Sequence, residues 1–332
     1  MDLIESYAEE LQLIRRPWTR VWVGVLMAGL LLFPWYFSDS WITIATVIFI
    51  YSVGALGQNL LIGYTGQISF AQSAFLAIGA FTFGHLARFG IPWPLGLLAA
   101  GVSAGLFGLV VGIPSLRLKG PYLAIATLGF GVAVYQIFVN SEMLSGGRMG
   151  LIITKLSPLF GLSQISFNYY FYFFIALLFT LVTYNIISSF MGRAFIAVRD
   201  NDIAAEVIGV NLTRYKLISF GISSFYTGVQ GALYGLFTGY LEPNMFTFME
   251  SVTLFVAVII GGLASVEGSL FGAAFVILVP QLFGMIPALN DYKEMVPAVY
   301  GVTILFVLIF QPLGIYGMWF KMRLYFRNWP FR

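Results

Sequence analysis

The chain has 332 residues, of which 59% are hydrophobic and 9% are charged, and its mean hydropathy is +0.89. This composition excludes an ordinary soluble domain, because soluble domains carry about 25% charged residues. The formal net charge of +3 fits anchoring charges at a membrane surface and gives no indication of nucleic-acid binding. The composition therefore predicts a polytopic membrane protein.

Most apolar runs are 17 to 25 residues long and unbroken by charge, which is the length of a membrane-spanning helix. A transmembrane β-barrel would show shorter segments of alternating polarity. The chain has no cysteine, so disulfides, thiolate metal sites and a cysteine nucleophile are excluded. Its single histidine, His85, is expected to be a packed or interfacial residue rather than a proton relay. The predicted fold class is all-α.

Residues 1–20 are predicted to form a cytoplasmic N-terminal tail with an amphipathic helix. Leu3, Tyr7, Leu11 and Ile14 recur at helical spacing, opposite a polar side that is acidic. An acidic side favours packing on protein over binding to anionic lipid, and a solvated anchor is the alternative. This stretch has no short apolar core with a small-residue cleavage site, so we expect no removable signal peptide.

Ten apolar segments of spanning length follow, at residues 21–37, 41–62, 73–90, 94–113, 121–139, 168–190, 215–241, 251–264, 269–289 and 297–318. If their connections alternate between the two sides, 13 of the 17 lysines and arginines fall on one side and 4 on the other. The positive-inside rule then predicts that both termini are cytoplasmic. In this interpretation residues 21–318 form the transmembrane domain and residues 319–332 form a basic cytoplasmic tail.

Residues 140–167 form the one sizeable outer loop of this interpretation, and shorter outer segments carry Glu242 and Glu250. A mixed-charge outer rim of this kind suits the docking of a soluble binding protein. Any membrane protein has a polar surface of this kind where it meets water. The rim by itself therefore does not distinguish a docking surface from an ordinary water-facing surface.

Two predicted spans are interrupted by glycine-containing breaks with polar side chains, at residues 61–75 and 260–275. Broken helices indicate a transport path, because free backbone groups at membrane depth survive only against protein or water. The residues predicted for such a path are Gln67, Ser69, Gln72, Ser73, Gly261 and Gly262. The alternative is that these polar groups form hydrogen bonds across a helix interface.

Residues 191–216 are the one long, strongly basic segment between two apolar runs, and are predicted to be a cytoplasmic loop. Inside it, Asp200 and Asn201 suit the N-terminal cap of a helix, and Gly209 suits its end. The resulting helix has about two turns, which is too short to be stable without packing.

Ala204, Ala205 and Ile208 lie at three- and four-residue spacing and are predicted to form one small apolar face of this helix. The face either rests on the chain's own membrane helices or docks on a soluble partner. The residues predicted for the docking contact are Arg193, Arg199, Asp202, Ala204, Ala205, Glu206, Ile208 and Gly209.

The sequence offers no energy source of its own. No lysine follows a glycine, so the phosphate-binding loop G-x-x-x-x-G-K-[ST] is absent. Almost every Asp and Glu falls in a predicted loop, so a charged proton or sodium relay is also difficult to assemble. If the chain pumps, we expect the energy to come from outside it.

Three segments resemble the permease subunits of branched-chain amino-acid ABC importers of the LivM type: Asn59–Phe81, Gly192–Gly235 and Ile259–Phe275. The resemblance covers about residues 40–315. In ABC importers the docking loop carries the pattern E-A-A-x-x-x-G. Here Ile203-Ala204-Ala205 and Gly209 match it, with isoleucine in the glutamate position.

The resemblance implies a bacterial inner-membrane subunit that pairs with a LivH-like permease, two cytoplasmic ATPases and a periplasmic or lipid-anchored solute-binding protein. ATP and magnesium would bind to the ATPases, and this chain would bind no cofactor. It would contact membrane lipid and no nucleic acid. The loaded binding protein would dock outside, and closure of the ATPases would be transmitted through residues 201–210 to give alternating access.

Other functions are kept open. Urea, short amides and aromatic acids are carried by similar subunits of the same family. A stand-alone channel or secondary carrier, with the central loop as a regulatory surface, is the alternative from another class. An intramembrane enzyme is not expected, because the chain has a single histidine and almost every Asp and Glu falls in a predicted loop.

Overall fold

A computed structural model of the chain describes residues 17–118, 120–158, 161, 163–285, 295–311 and 314–327. These residues form fourteen α-helices: α1 Pro17–Tyr36, α2 Asp39–Asn59, α3 Gln72–Arg88, α4 Trp93–Ser115, α5 Pro121–Asn140, α6 Glu142–Ser145, α7 Gln164–Ser188, α8 Phe190–Asp200, α9 Asp202–Val207, α10 Leu212–Thr238, α11 Phe248–Gly261, α12 Val266–Met285, α13 Val296–Phe310 and α14 Gly314–Arg327. A π-helix, Leu60–Tyr64, continues α2, and 3₁₀ turns cover Gly147–Met149 and Pro243–Phe246.

Six helical segments of the described chain are long and apolar enough to cross a membrane: Asp39–Tyr64, Trp93–Pro114, Pro121–Asn140, Gln164–Ser188, Pro243–Gly261 and Val266–Phe283. The apolar helices Val21–Tyr36 and Pro297–Val307 are shorter. These segments confirm the prediction of an all-α, multi-pass membrane protein. Helices suit this setting because an α-helix satisfies its own backbone groups in lipid.

The centre of the molecule is formed by α3 and α10, which pack on each other and on α4. Small residues allow the helix backbones to approach closely. A Cβ atom at Gly79 of α3 would lie 2.2 Å from the carbonyl oxygen of Gly228, and one at Gly228 would lie 2.4 Å from the Cβ of Ala104. In the same way, a Cβ at Gly231 would meet the Leu76 carbonyl oxygen. These contacts have the close-approach geometry of small-residue helix interfaces in membranes.

Both predicted helix breaks are present. After the π-helix, residues 65–71 are non-helical, and α3 begins at Gln72. The second break occupies residues 262–265 between α11 and α12, and includes Gly262 with a φ of 130°. The segment 262–265 also contains Ala264, a non-glycine residue with a positive φ of 56°. Below, the first break means residues 60–71, which are the π-helix and the non-helical segment after it, and the second break means residues 262–265.

The described part of the predicted outer loop has some regular structure. It contains α6 and the strand β1, Leu151–Ile152, which pairs antiparallel with β2, Tyr240–Leu241. Leu151 lies opposite Leu241, and both side chains are buried. The small sheet therefore fixes this loop to the end of α10.

Two expectations about helix boundaries are wrong. Residues 191–200, predicted as part of a loop, are helical and belong to α8, which begins at Phe190. The predicted span 297–318 is interrupted, because α13 ends at Phe310 and Gln311 leaves the helical region at φ −142° and ψ 69°. A proline follows Gln311 in the sequence, and the residue before a proline is disfavoured in the α conformation.

The last described helix, α14, crosses residue 318, where the sequence places the end of the membrane domain. Its first residue, Gly314, packs on the second break: a Cβ there would lie 2.7 Å from the Gly262 nitrogen. The predicted amphipathic helix of the N-terminal tail, at residues 1–16, lies outside the described residues, as does the end of the basic tail at residues 328–332.

Candidate functional site

The helix α8 positions the short helix that follows it. The Ser189 hydroxyl caps α8 by accepting a hydrogen bond from the Met191 nitrogen at 3.1 Å. Ala194, Phe195 and Val198 recur at three- and four-residue spacing and are buried. This amphipathic pattern holds one side of α8 against the membrane helices. The same pattern was available in the sequence, where the basic residues of the segment masked it.

The helix α9 has the limits that the sequence predicts. The Asn201 side-chain oxygen accepts a hydrogen bond from the Ala204 nitrogen at 3.0 Å, which is an N-terminal cap. At the other end, Gly209 has a φ of 89°, and its nitrogen donates to the Glu206 carbonyl at 3.0 Å. The Val210 nitrogen closes the turn by donating to the Ala205 carbonyl at 2.9 Å. The predicted short, capped helix is confirmed.

The predicted apolar face of α9 is wrong in one member. Ala205 is only 2% exposed and faces the protein, whereas Ala204 and Ile208 are exposed. Successive residues in an α-helix are turned by about 100°, so Ala204 and Ile208 share a face and Ala205 lies on the next one. The two interpretations of the face thus apply to different residues: Ala205 rests on the chain itself, and its neighbours point outward.

The outward side of α9 carries three large aliphatic side chains, named here the apolar patch: Ile203, Val207 and Ile208. Their exposed fractions are 71%, 83% and 75%. Ile203 and Val207 were not among the predicted docking residues, although their four-residue spacing places them on one face. Three exposed aliphatic side chains within six consecutive residues form a compact surface for a protein contact.

The apolar patch is connected to the membrane helices through charged side chains. Arg199 donates from Nη1 to the Gly63 carbonyl at 2.9 Å, and pairs with Asp200 at 2.9 Å. The Lys216 Nζ lies 3.9 Å from the Asp202 carboxylate, which joins α9 to the start of α10. The α8–α9 segment is therefore joined to the first break by a direct hydrogen bond.

Arg193, the other predicted docking arginine, does not join this cluster. Its guanidinium lies 5.9 Å from the centre of the Phe190 ring, and Nη1 donates to the Ser188 carbonyl at 3.3 Å. Both contacts are within or next to α8. Of the remaining predicted docking residues, Glu206 and Gly209 are exposed and Asp202 is half-buried.

A buried hydrogen-bond network holds the first break against α2 and α10. The Gln58 amide donates to the Ser69 carbonyl at 3.1 Å, and the Gln72 amide donates to Gln58 Oε1 and, at 3.2 Å, to the Ser223 hydroxyl. The Thr227 hydroxyl donates to Gln72 Oε1 at 2.6 Å. Every member of this network is at most 2% exposed.

Two further contacts complete the bracing of the first break. The Ser73 nitrogen donates to the Ser251 hydroxyl on α11 at 2.8 Å. The Gln67 amide donates to the Ser219 hydroxyl on α10 at 2.8 Å. All four predicted path residues of this break are buried and bonded across helix interfaces, which is the alternative that the sequence left open. Their placement on a translocation path stays a prediction.

Asn59 joins the two breaks and was not singled out from the sequence. Its side-chain nitrogen donates to the Ser265 carbonyl at 2.7 Å and to the Ser269 hydroxyl at 2.8 Å, and its oxygen accepts from the Ala264 nitrogen at 2.9 Å. Gly63 also packs on this segment, because a Cβ there would lie 2.4 Å from the Ala264 nitrogen. The sequence signal that could have identified Asn59 is an asparagine within a predicted apolar span.

The predicted path glycines of the second break serve close packing. A Cβ at Gly261 would lie 1.9 Å from the Gly268 carbonyl oxygen, and Gly262 takes a backbone conformation that favours glycine. Gly268 and Gly272 form a G-x-x-x-G pair at the start of α12, and Gly272 faces the backbone of Ala257. The α11–α12 hairpin is therefore closely packed on both sides of the break.

Glu250 lies in a different place from the one expected. The sequence assigns it to an outer connecting segment, but it is in the first turn of α11, within a candidate membrane span. Its carboxylate accepts a hydrogen bond from the Tyr51 hydroxyl of α2 at 2.8 Å. Glu267, in the first turn of α12, accepts one from the Tyr184 hydroxyl at 2.6 Å. Both of these carboxylates are thus paired with a tyrosine.

Comparisons with known proteins give a consistent result. A family model described as "Branched-chain amino acid transport system / permease component" matches residues 40–308. The high-affinity branched-chain amino acid transport permease protein LivM of Salmonella typhimurium is 29% identical over 325 residues, covering 90% of this chain and 75% of the relative. LivM of Escherichia coli K12 shows the same values. LivH of Salmonella typhimurium is 25% identical over 300 residues, covering 85% of this chain and 96% of the relative.

Among solved structures, PsaBC from Streptococcus pneumoniae in complex with Fab is similar to this chain with a TM-score of 0.44 and 12% identity. The similarity covers 91% of this chain and 99% of that chain.

Proposed function

The chain belongs to the branched-chain amino acid transport permease family, and on that premise we propose that it is the transmembrane permease subunit of an ABC importer. In this proposal it moves branched-chain or other hydrophobic amino acids across the bacterial inner membrane. The energy comes from separate ATPase subunits that bind ATP and magnesium, and this chain performs no catalysis.

One observation carries the coupling role: α9 presents the apolar patch outward and is fixed to the membrane helices behind it. A lever must be rigid on one side and offer a contact on the other. The buried side of α9 is anchored through Ala205 and the Lys216–Asp202 pair. The exposed side carries Ile203, Val207 and Ile208. We propose that this side docks in a cleft of the cytoplasmic ATPase.

The proposal includes a ten-span topology with both termini in the cytoplasm. A helix is present at each of the ten predicted spans. Four of them are not among the candidate spans by length and hydropathy: α1 and α13 contain only the shorter apolar helices Val21–Tyr36 and Pro297–Val307, and α3 and α10 are in neither group. Both α3 and α10 lie at the centre of the bundle, where protein rather than lipid surrounds them, so they need less apolar surface. The distribution of lysines and arginines supports the orientation.

The proposed partners are a LivH-like second permease, two ABC ATPases and a periplasmic or lipid-anchored solute-binding protein. The support is that the related proteins are named as permease proteins of a high-affinity branched-chain amino acid transport system, in which both LivM and LivH occur. The exposed apolar helices of this chain would contact membrane lipid and the second permease.

The test is co-purification from native membranes in mild detergent, comparing wild type with Val207→Arg and with a matched control, Ile152→Arg. Both positions carry an exposed aliphatic side chain, but Ile152 lies in β1, on the predicted outer side. We expect Val207→Arg to retain the second permease and to lose the ATPase by at least about tenfold, because a charge in a small apolar contact costs about 2 kcal/mol or more. Ile152→Arg should retain both.

The result that would overturn the proposal is wild type purified with its membrane assembly intact and without any ATPase. A stand-alone channel or secondary carrier would then take its place, and vesicles containing this chain only should transport. If an ATPase is present, the accompanying solute-binding protein identifies the solute and distinguishes amino acids from urea, amides or aromatic acids.

A further inference from the structure

A cavity of about 310 Å³ opens between the beginning of α2, the beginning of α7 and the end of α10. This volume is at the lower end of the range of about 300–1,000 Å³ that small-molecule sites occupy. The cavity is named the interfacial cavity here, and its wall includes Thr43 and Thr46 of α2, Lys155 of the loop after β1, Gln164 and Asn168 of α7, and Phe237 of α10. It therefore lies where the loop after β1 meets three membrane helices.

The interfacial cavity lies at the boundary of the membrane. The helices α2 and α7 are candidate membrane spans, and the cavity lies near the first residues of both. Trp35, Tyr36 and Trp41, next to the start of α2, have exposed fractions of 78%, 81% and 36%. Tryptophan and tyrosine are enriched at the level of the lipid headgroups. The cavity is therefore at the depth where the polar part of a lipid lies.

The interfacial cavity carries an excess of positive charge. Lys155 is the one charged side chain among the described residues of its wall. Within the described part of the chain, no group pairs with the Lys155 ammonium. Asp39, an acidic residue one turn before Thr43, is exposed and does not line the cavity. A site with an unpaired cation and no anion favours a negatively charged ligand.

The position of Lys155 is fixed by its neighbours. On one side of it, the Ile153 nitrogen donates to the Gly239 carbonyl at 3.0 Å. On the other side, the Gln164 amide donates to the Leu156 carbonyl at 3.0 Å. A Cβ at Gly239 would lie 2.6 Å from the Lys155 Cε, so the lysine stem rests on the end of α10. The ammonium is thus held at the cavity by its surroundings.

Asn168 supplies a second donor to the interfacial cavity. Its side-chain oxygen accepts a hydrogen bond from the Gln164 amide at 3.0 Å, whereas its side-chain nitrogen has no partner among the described residues. Both residues lie in the first two turns of α7, whose N-terminus is the positive end of the helix dipole. An ammonium, an amide donor and a helix N-terminus together suit an oxygen-rich anion such as a phosphate group.

An apolar surface continues from the interfacial cavity along α7. Gln164, Phe171 and Leu178 follow one another at seven-residue spacing, which places them on one stripe of the helix. Leu178 is 56% exposed, and Phe174, one turn before it, is 55% exposed. Exposed apolar side chains of a membrane span meet acyl chains. An anion in the cavity can therefore carry hydrocarbon chains that lie on α7.

We propose that the interfacial cavity binds the phosphate group of an anionic phospholipid, in the leaflet on the predicted outer side. Lys155 pairs with the phosphate, Asn168 donates a hydrogen bond to it, and one acyl chain lies along Leu178. The bound lipid holds the loop after β1 to α2 and α7, and it stabilises the folded chain because it binds that state alone. The inference rests on the membrane fold and not on the identity of the transported solute.

The test is a native mass-spectrometry titration of the delipidated full chain in detergent, with palmitoyl-oleoyl phosphatidylglycerol as the probe. Three comparators separate the features of the ligand. Palmitoyl-oleoyl glycerol lacks the phosphate, palmitoyl-oleoyl phosphatidylcholine has the phosphate without a net charge, and glycerol phosphate has the phosphate without acyl chains. We expect phosphatidylglycerol to bind at least about fivefold more tightly than each comparator, which is the contribution of one lysine to the binding of an anionic lipid.

Three variants locate the site. Lys155→Met removes the ammonium and keeps an unbranched stem on α10, and Asn168→Leu removes the amide donor at similar volume. Each should weaken phosphatidylglycerol binding by about fivefold. Arg88→Met is the control, because it removes an exposed cation at the end of α3, also on the predicted outer side, that does not line the cavity. It should leave binding unchanged, and two independent cavity variants keep the test valid if one of them fails to fold.

The proposal is overturned if phosphatidylglycerol binds no better than palmitoyl-oleoyl glycerol or phosphatidylcholine, or if both cavity variants bind it as wild type does. Glycerol phosphate that binds as tightly as phosphatidylglycerol would overturn it in favour of a site for a free phosphate ester. Equal losses in Arg88→Met and Lys155→Met would indicate general attraction to cations on that side. A lysine at the end of α10 also stabilises the C-terminus of that helix in any lipid. If Lys155→Met lowers the melting temperature equally with and without phosphatidylglycerol, that role accounts for the lysine and the lipid site fails.

Discussion

At the scale of single residues, Asn59 shows how the protein supports irregular backbone within the membrane region. The second break interrupts a helix, so its backbone groups lose their helical partners. The side chain of Asn59 supplies a donor to the Ser265 carbonyl and an acceptor for the Ala264 nitrogen. Because no water is available in the hydrocarbon to replace these bonds, one side chain on α2 fixes the shape of the α11–α12 connection.

We predict that Asn59→Ala destabilises the chain by about 1–3 kcal/mol, because the partly buried Ala264 nitrogen loses its acceptor and the buried Ser265 carbonyl loses a donor. The measurement is the apparent melting temperature of the purified chain in detergent. Asn140→Ala is the matched control: this asparagine is exposed at the end of α5, and its amide contacts Gln136 on the same helix. Equal melting temperatures for the two variants would contradict the role assigned to Asn59.

At the scale of helices, the central pair α3 and α10 is held by glycine contacts rather than by large apolar side chains. Their backbones meet where Gly79 faces Gly228, and Gly228 in turn faces α4 at Ala104. Without a hydrophobic driving force between helices in lipid, close van der Waals packing and interhelical hydrogen bonds provide the association. The buried polar network around Gln72 lies between the same helices.

We predict that Gly79→Ala lowers stability by about 1–3 kcal/mol, because its Cβ would lie 2.2 Å from a backbone oxygen that cannot move independently. Gly129→Ala is the control, since that glycine lies on the exposed side of α5 with no atom within 4 Å of an added Cβ. It should be neutral or slightly stabilising, because alanine favours the helix by up to about 1 kcal/mol. The measurement is the apparent melting temperature of each variant in detergent. If Gly79→Ala lowered it no more than Gly129→Ala does, the packing argument would be contradicted.

At the scale of the whole molecule, one arginine connects the proposed docking element with the interior. Arg199 belongs to α8, next to the apolar patch, and donates to the Gly63 carbonyl in the first break. The first break is connected through Asn59 to the second break, which Gly314 of α14 contacts. A displacement of α9 can therefore reach both breaks through packed and hydrogen-bonded elements.

We predict that Arg199→Lys keeps the ATPase bound but lowers transport per ATP hydrolysed several-fold. Lysine presents a single ammonium and cannot hold Asp200 and the Gly63 carbonyl together in the way the planar guanidinium does. The measurement is leucine uptake and phosphate release in proteoliposomes with the solute-binding protein. Arg193→Lys is the control, because its contacts remain within or next to α8. An equal loss in both variants would argue against a specific transmission role.

The candidate site divides into parts that local sequence could predict and parts that it could not. The caps of α9 were predictable, because Asn201 and Gly209 act on backbone groups within a few residues of themselves. The direction of Ala205 was not, because adjacent alanines are chemically the same and only the surrounding helices distinguish the buried one. The sequence did not predict the helix α8, because its apolar residues alternate with arginines.

The sequence by itself determined that this is a helical multi-pass membrane protein, because lipid requires long apolar segments and those are visible without any structure. It also determined the family and the positions of the two breaks, which depend on glycine and on neighbouring residues. Only the tertiary structure decided the partners of Asn59, the tyrosine paired with Glu250, and the outward direction of Ile203 and Val207. These depend on contacts between residues far apart in the chain, and a single apolar sequence contains no periodic signal that selects them.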